Sequence, residues 1–365
     1  MLARRLVFAC FASLWSCLFA NGSVRADEPK PELLSVEKIW DAGKHNAFTD
    51  LTRWHDKFWC TFREAEGHVG GDGQIRVLVS DDGTKWESAA LVGEKGIDLR
   101  DPKFSITPDD RLMIVAGGSV YEGKTLLGRW PRVTFSKDGR EWTPPQKCQS
   151  KAGLGEGDWL WRVTWHDGTC YGVCYDASQR ATPAAKESTK LTGPAPAGEA
   201  DWKLKLVKST DGVNFELVKY LDVPGFANET TTRVLADGRI MLMVRREAGS
   251  KLGWIGTAKP PFQDWTWNET SMRFGGPNFI QLPSGALWGV TRKYAGESSL
   301  GKGSKTELVK LEDKSVTPLL EFPSGGDTSY AGLVWFQDLL WVSYYSSHEG
   351  KTSIYLAKVK LPATK

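Results

Sequence analysis

Apolar and polar residues alternate in short runs along most of the chain, and no segment of useful length carries the 3.6-residue period of an amphipathic helix. The runs come in pairs. A first run follows a polar residue: Phe48 to Trp54, Lys103 to Ile106, Val163 to Trp165, Thr231 to Leu235, Phe279 to Leu282 and Gly332 to Trp335. A turn signal follows each: His55-Asp56, Pro108-Asp109, His166-Asp167, Ala236-Asp237-Gly238, Pro283-Ser284-Gly285 and Gln337-Asp338. Then comes a more continuously apolar run, such as Phe58 to Phe62, Leu112 to Ala116, Cys170 to Tyr175 or Ile240 to Val244. Divided this way the chain holds six units, beginning near His45, Arg100, Trp161, Asn228, Asn278 and Ser329. A third and an outer strand complete most of them. Four-stranded units repeating about every 50 residues predict an all-β, six-bladed β-propeller of antiparallel blades. The sixth unit ends one strand short, at Ile354 to Val359, and Leu34 to Ile39 is expected to supply the missing strand and close the ring.

Three segments repeat one turn: Ser80-Asp81-Asp82-Gly83-Thr84-Lys85-Trp86, Ser136-Lys137-Asp138-Gly139-Arg140-Glu141-Trp142 and Ser209-Thr210-Asp211-Gly212-Val213-Asn214-Phe215. In Ser-x-Asp-Gly-x-x-aromatic, Gly accepts positive φ, Asp folds its carboxylate back onto the turn, and the aromatic can pack over it. These turns join the outer strands of blades one to three and fix blade count and orientation.

The first 26 residues stand apart. Arg4 and Arg5 precede an apolar run from Leu6 to Ala20, followed by a polar stretch ending Val24-Arg25-Ala26, the pattern of a secretory signal peptide cleaved before Asp27. The run is too short to span a membrane, and the remainder, 27–365, reads as one exported domain. The leader holds three arginines and no acid, so its removal takes the formal charge from +3 to 0. No basic excess remains to suggest nucleic acid. Four cysteines are left, Cys60, Cys148, Cys170 and Cys174, too few for a disulfide scaffold. Residues 176–200, rich in Ala, Pro, Thr and Lys, read as a long loop within blade three.

Ligands of a propeller bind where the innermost strands converge, which makes the opening residues of each blade the candidates: His45 and Asn46, Arg100 and Asp101, Trp161 and Arg162, Asn228 and Glu229, Asn278, Ser329 and Tyr330. Here the chain resembles the sialidase superfamily, six-bladed glycosidases with the same Asp-box turn, over roughly residues 33–362. Asn228-Glu229 followed by Asp237-Gly238-Arg239-Ile240-Met241-Leu242-Met243-Val244-Arg245 is similar to the family's glutamate blade. Tyr330, in Asp327-Thr328-Ser329-Tyr330-Ala331-Gly332-Leu333, resembles its tyrosine at the start of the last blade. Asp72, before the first Asp-box, falls where the family places its acid/base aspartate, and Arg292 matches a further site arginine. The resemblance implies Tyr330 as nucleophile, Glu229 as its base and Asp72 as the acid that protonates the leaving oxygen. Arginines, with their planar fork, would bind a carboxylate on the substrate. The family's first arginine, in an Arg-Ile-Pro sequence, is replaced here by His45-Asn46-Ala47-Phe48, so one arm of that clamp is missing unless Arg63, Arg100 or Arg162 reaches in.

The chain is thus expected to act as a monomer on a terminal, anionic sugar of a glycan, with no nucleic acid, membrane span or cofactor. His68 lies near Asp72, but no further ligand follows at useful spacing, so no metal is expected. Two other readings stay open. Leu99-Arg100-Asp101-Pro102 resembles an element of five-bladed furanosidases that use carboxylates alone, here Asp50, Asp101 and Glu229. A propeller that binds a glycan or protein without cleaving it needs no acid near Glu229 and Tyr330.

Overall fold

The computed structural model describes residues 29–152, 154–176, 202–296 and 303–362; the leader and nearly all of the predicted loop at 176–200 lie outside them. Six sheets form a six-bladed propeller; in four of them the strands run in chain order from the axis outward, and in the third and last blades the outermost strand comes from earlier in the chain. Among the described residues no helix is long and apolar enough to cross a membrane.

The second strand of a blade is sandwiched between neighbouring blades and is apolar on both faces: all of Ile240–Val244 is buried. The outer strand meets solvent and alternates, as in Trp265–Glu269. Two-residue hairpins join inner to second strands where both central residues take positive φ: His55 and Asp56 (48° and 59°), Asp167 and Gly168 (46° and 73°), Gln337 and Asp338 (51° and 57°). The third of the expected turns therefore sits one residue later than the His166-Asp167 reading. The last blade closes as expected: Glu32–Trp40 pairs antiparallel with Ser353–Lys360.

Two features differ from the sequence reading. Blade three has a fifth strand, Gln149–Ala152, which runs parallel to Asn214–Leu221 on its outer edge. The inner strands of four blades also begin three to five residues before the apolar alternation: His45–Trp54, Asp98–Ile106, Asp158–His166 and Thr328–Phe336. Each contains a β-bulge, with register breaks between Ala47 and Asp50, Arg100 and Lys103, Leu160 and Val163, and Ser329 and Gly332. The extra residue shifts the in–out phase and breaks the alternation while the strand continues. Thr230–Val234 and Asn278–Gln281 have unbroken pairing, and there the expected start is right to within one residue. Cys60, Cys148, Cys170 and Cys174 are buried free thiols.

Candidate active site

The bulges aim four side chains at the axis: Phe48, Asp101, Trp161 and Tyr330. Phe48, Asp101 and Tyr330 hold φ of 66°, 50° and 53°, a region that a bulky side chain rarely adopts. The rings of Phe48 and Trp161 lie 5.1 and 5.6 Å from that of Tyr330. Below them the axis is filled by paired charge. Arg162 makes a two-pronged bond to Asp50 (2.8 and 3.0 Å), which also takes the Phe104 amide hydrogen, and Lys103 Nζ donates to the Thr49 carbonyl at 3.0 Å. The hydroxyl of Thr49 in turn donates to the Tyr330 carbonyl at 2.8 Å, which ties the tyrosine's backbone to this floor.

At the centre, Tyr330 Oη donates to Glu229 Oε1 at 2.5 Å. Arg245 Nη1 donates to Glu229 Oε2 at 2.7 Å and to Tyr330 Oη at 3.2 Å, and the Gly276 amide donates to Glu229 Oε2 at 2.8 Å. Gly276 has a φ of 57°, and a Cβ there would stand 2.6 Å from the Tyr330 ring, so only glycine brings this amide so close. Burial acts to raise the Glu229 carboxyl, but Arg245 and the bonds from Tyr330 and Gly276 outweigh it and hold it below the ordinary range. Burial, and next to it the charge of Glu229, push the Tyr330 phenol well above its usual value. The pair is thus a neutral phenol hydrogen-bonded to an ionised carboxylate.

Arg292 lies 5.4 Å from the Tyr330 ring centre and is fixed by two bonds to the Thr328 carbonyl, at 2.9 and 2.7 Å. Arg245 also pairs with Glu247 at 2.5 Å. Asp101 is 7% exposed, and its Oδ1 is buried with no hydrogen-bond partner among the described residues. Burial pushes its carboxyl up, against the pull of Arg100 and Lys103 and with the charge of Glu229 adding to the rise.

The remaining predicted residues have structural partners. Arg63 is wholly buried and grips Asp98 at 2.6 and 3.0 Å, so its guanidinium serves blade two rather than the pocket. Arg100 Nη1 donates to the His68 carbonyl at 2.8 Å. Asn46 bonds the carbonyls of Gly43 and Thr352, and Asn278 bonds the Ala331 carbonyl, in both cases tying neighbouring chain segments together. Asp72 is exposed on the loop between the second and third strands of blade one, and its Oδ2 takes the Gly96 amide hydrogen at 2.9 Å.

A cluster missed from the sequence adjoins the pair. Asp327 Oδ2 accepts from His68 Nδ1 at 2.7 Å and lies 3.3 Å from His45 Nε2, while Oδ1 accepts from Tyr345 Oη at 2.7 Å. The ligand atoms of His45, His68 and Asp327 lie within 4.8 Å of one another, close enough for a cation to be considered. The 2.7 Å between His68 and Asp327 is a hydrogen-bond length; two ligands at about 2.0–2.1 Å on one tetrahedral zinc would stand about 3.3 Å apart. Asp327 was within sight in the quoted last-blade motif, but its partner His68 is 259 residues away and nothing local connects them.

No protein-family model and no curated protein matches the chain. Among solved structures it is similar to a protein of unknown function from Dyadobacter fermentans, with TM-score 0.74 and 15% identity, covering 91% of this chain and 100% of that one. It is similar to Trypanosoma rangeli sialidase, with TM-score 0.64 and 9% identity, covering 90% of this chain but only 59% of the longer sialidase. It is also similar to an α-L-arabinofuranosidase from Fusarium graminearum, with TM-score 0.63 and 13% identity, covering 90% of this chain and 98% of that one. At such identities the likeness is one of fold: the chain shares the propeller architecture of sialidases and of another glycoside hydrolase.

Proposed function

We propose that the chain is an exported glycoside hydrolase that removes a terminal, anionic sugar from a glycan, with Tyr330 as nucleophile and Glu229 as its base. The observation that carries this reading is the 2.5 Å bond from Tyr330 Oη to Glu229 Oε1, flanked by Arg245. A buried phenol is a poor nucleophile unless its proton is taken in the same step, and a carboxylate at this distance takes it without an intervening water. A neutral nucleophile suits an anomeric carbon that bears a carboxylate, because anion would repel anion. Arg245 and Arg292 both lie close to Tyr330 and would supply positive charge for that carboxylate. With His45 and Asn46 in place of the family's first arginine, sialosides are expected to be weak substrates.

The test is a screen of purified mature protein on sialosides, uronosides and sulfated glycans, followed by Tyr330→Phe and Glu229→Ala. Each variant is expected to lose about a thousandfold or more in kcat/KM while keeping its fold. Near wild-type turnover in both variants overturns the tyrosine mechanism; robust release of sialic acid overturns the specificity. One observation favours a second reading: Asp101 and Glu229 are pushed in opposite directions, as an acid and a base would be. In a carboxylate-only mechanism Asp101→Asn is inactive and Tyr330→Phe is not. Asp50, engaged by Arg162, takes no part in either reading. A propeller that only binds glycans retains a panel sugar without cleaving it.

A further inference from the structure

We propose that His68 is the proton donor to the leaving group in this reaction, and afterwards the base that activates water, with Asp327 as its positioning residue. The inference rests on the Tyr330–Glu229 reading and fills the role that the sequence resemblance gives to Asp72. Four observations carry it. The His68 imidazole is held by one nitrogen: Nδ1 bonds Asp327 Oδ2 at 2.7 Å, the one hydrogen bond its ring makes among the described residues. Asp327 is itself fixed, since Tyr345 Oη bonds its other oxygen at 2.7 Å. The backbone around His68 is pinned by two buried arginines: Arg63 Nη1 donates to the Gly67 carbonyl at 2.7 Å and Arg100 Nη1 to the His68 carbonyl at 2.8 Å. Finally, the ring lies beside the site: it packs edge-on against Phe48 at 5.3 Å, the same phenyl ring that lies 5.1 Å from Tyr330.

A carboxylate bonded to one imidazole nitrogen, with the other left open, is the arrangement that fixes tautomer and direction in acid–base histidines. Location separates His68 from its rivals. The leaving group is the rest of a glycan and must run out to solvent, so its proton donor belongs at the rim. The His68 side chain is partly exposed, whereas Asp101 is buried. Asp72, on the same loop, has an oxygen on the Gly96 amide. His45 also reaches Asp327, but it is buried, and burial holds it below its ordinary value despite the carboxylate.

The proton balance closes. Tyr330 Oη bonds the anomeric carbon and its proton passes to Glu229. The glycosidic bond breaks, and its oxygen takes the Nε2 proton of a doubly protonated His68, leaving the ring neutral with Nδ1–H still on Asp327. Water then attacks the anomeric carbon and gives a proton to His68 Nε2. The tyrosyl–sugar bond breaks, and Tyr330 recovers its proton from Glu229.

Two measurements on the full-length protein test this. In ¹⁵N-resolved NMR of the histidine rings, neutral His68 is expected to carry its proton on Nδ1, and to shift toward the Nε2–H tautomer in Asp327→Asn. An Nε2–H tautomer in the wild type, or no change in the variant, overturns the positioning role. In kinetics, each active panel sugar is presented as a dinitrophenyl glycoside, which leaves unaided, and as a methyl glycoside, which does not. In kcat/KM, which reports only the step that releases the leaving group, His68→Ala and His68→Gln are expected to lose about 10²–10⁴-fold on the methyl glycoside and less than tenfold on the dinitrophenyl one, with added imidazole restoring part of the Ala variant's loss. Equal loss on both substrates, the same leaving-group pattern in Asp101→Asn instead, or loss of wild-type activity with EDTA and its return with zinc overturns the proposal. If Tyr330→Phe is inactive while His68→Ala is not, this inference fails and the nucleophile assignment stands. If no panel sugar is cleaved by the wild type, both fail.

Discussion

The propeller contains two sets of repeated backbone features, and they solve opposite problems. At the rim, the three Ser-x-Asp-Gly turns satisfy themselves. In each, the Gly amide donates to the Ser hydroxyl at 2.8–2.9 Å and the Asp carboxylate accepts the amides of the two residues after the Gly, as Asp138 does from Arg140 and Glu141 at 2.8 Å. Each Gly also lies against the second strand of the preceding blade: Gly83 on Trp341, Gly139 on Trp59 and Gly212 on Met113. These turns lock blade to blade. At the axis, the four bulged openings do the reverse. Three of them hold backbone in sparsely populated φ, and together they crowd like and unlike charges and leave polar atoms such as Asp101 Oδ1 without a partner among the described residues. The difference teaches where this chain keeps stability and where it keeps chemistry.

The sharpest way to break that contrast is the Tyr330–Glu229 pair. Tyr330→Phe should cost about a thousandfold or more in turnover and shift the melting temperature by only a few degrees, because the ring and its aromatic neighbours remain. A large drop in stability with activity retained would make the axis structural. Two glycines give a matched comparison. Gly139 and Gly276 both take positive φ, 75° and 57°, and both lie under an aromatic ring, where a Cβ would stand 2.1 Å from Trp59 or 2.6 Å from Tyr330. Gly276→Ala is expected to lower turnover about 10–100-fold by moving Tyr330 off Glu229. Gly139→Ala is expected to cost about 2 kcal/mol of stability in denaturant unfolding and leave KM and kcat of the folded protein unchanged. If the two changes have the same profile, the distinction between rim and axis fails.

The rim was legible in the sequence because everything it needs is local: four residues make the turn and a fifth packs on it. The blade count and the closing strand followed from the same local spacing. The axis was legible only in part. Glu229, Arg245 and Tyr330 sit in quotable motifs, and the structure brings them together. The bulges hid the true starts of four strands, because one extra residue reverses the side-chain phase on which strand reading depends. Partnership was hidden too. Arg63, Arg162 and Asn278 are held by Asp98, Asp50 and the Ala331 carbonyl, and Asp50 and Arg162 are 112 residues apart. The parallel fifth strand of blade three, paired across more than sixty residues, left no mark of its own.

The smallest expected effect concerns the cost of that charged floor. Lys103 is 2% exposed beneath Trp161 and Tyr330, with its ammonium 5.2 and 5.9 Å from their ring centres. Burial, only partly countered by Asp50, pushes it down to about 8 from an ordinary 10.5. Below pH 8 both folded and unfolded chains hold this proton, and the burden of the buried cation is constant. Between about 8 and 10.5 the folded chain has released the proton and the unfolded chain has not. The unfolded state then binds more protons, so this group's contribution to stability rises with pH, by at most about 1.4 kcal/mol per unit. Other lysines and tyrosines titrate in the same window, which makes the difference between wild type and Lys103→Met the quantity to measure. In urea unfolding at pH 7.5, 8.5 and 9.5, that difference should move steadily in favour of the wild type. A flat difference would mean that the axis tolerates its lysine without strain, and would take from the comparison its claim that the floor of the site is held at the expense of stability.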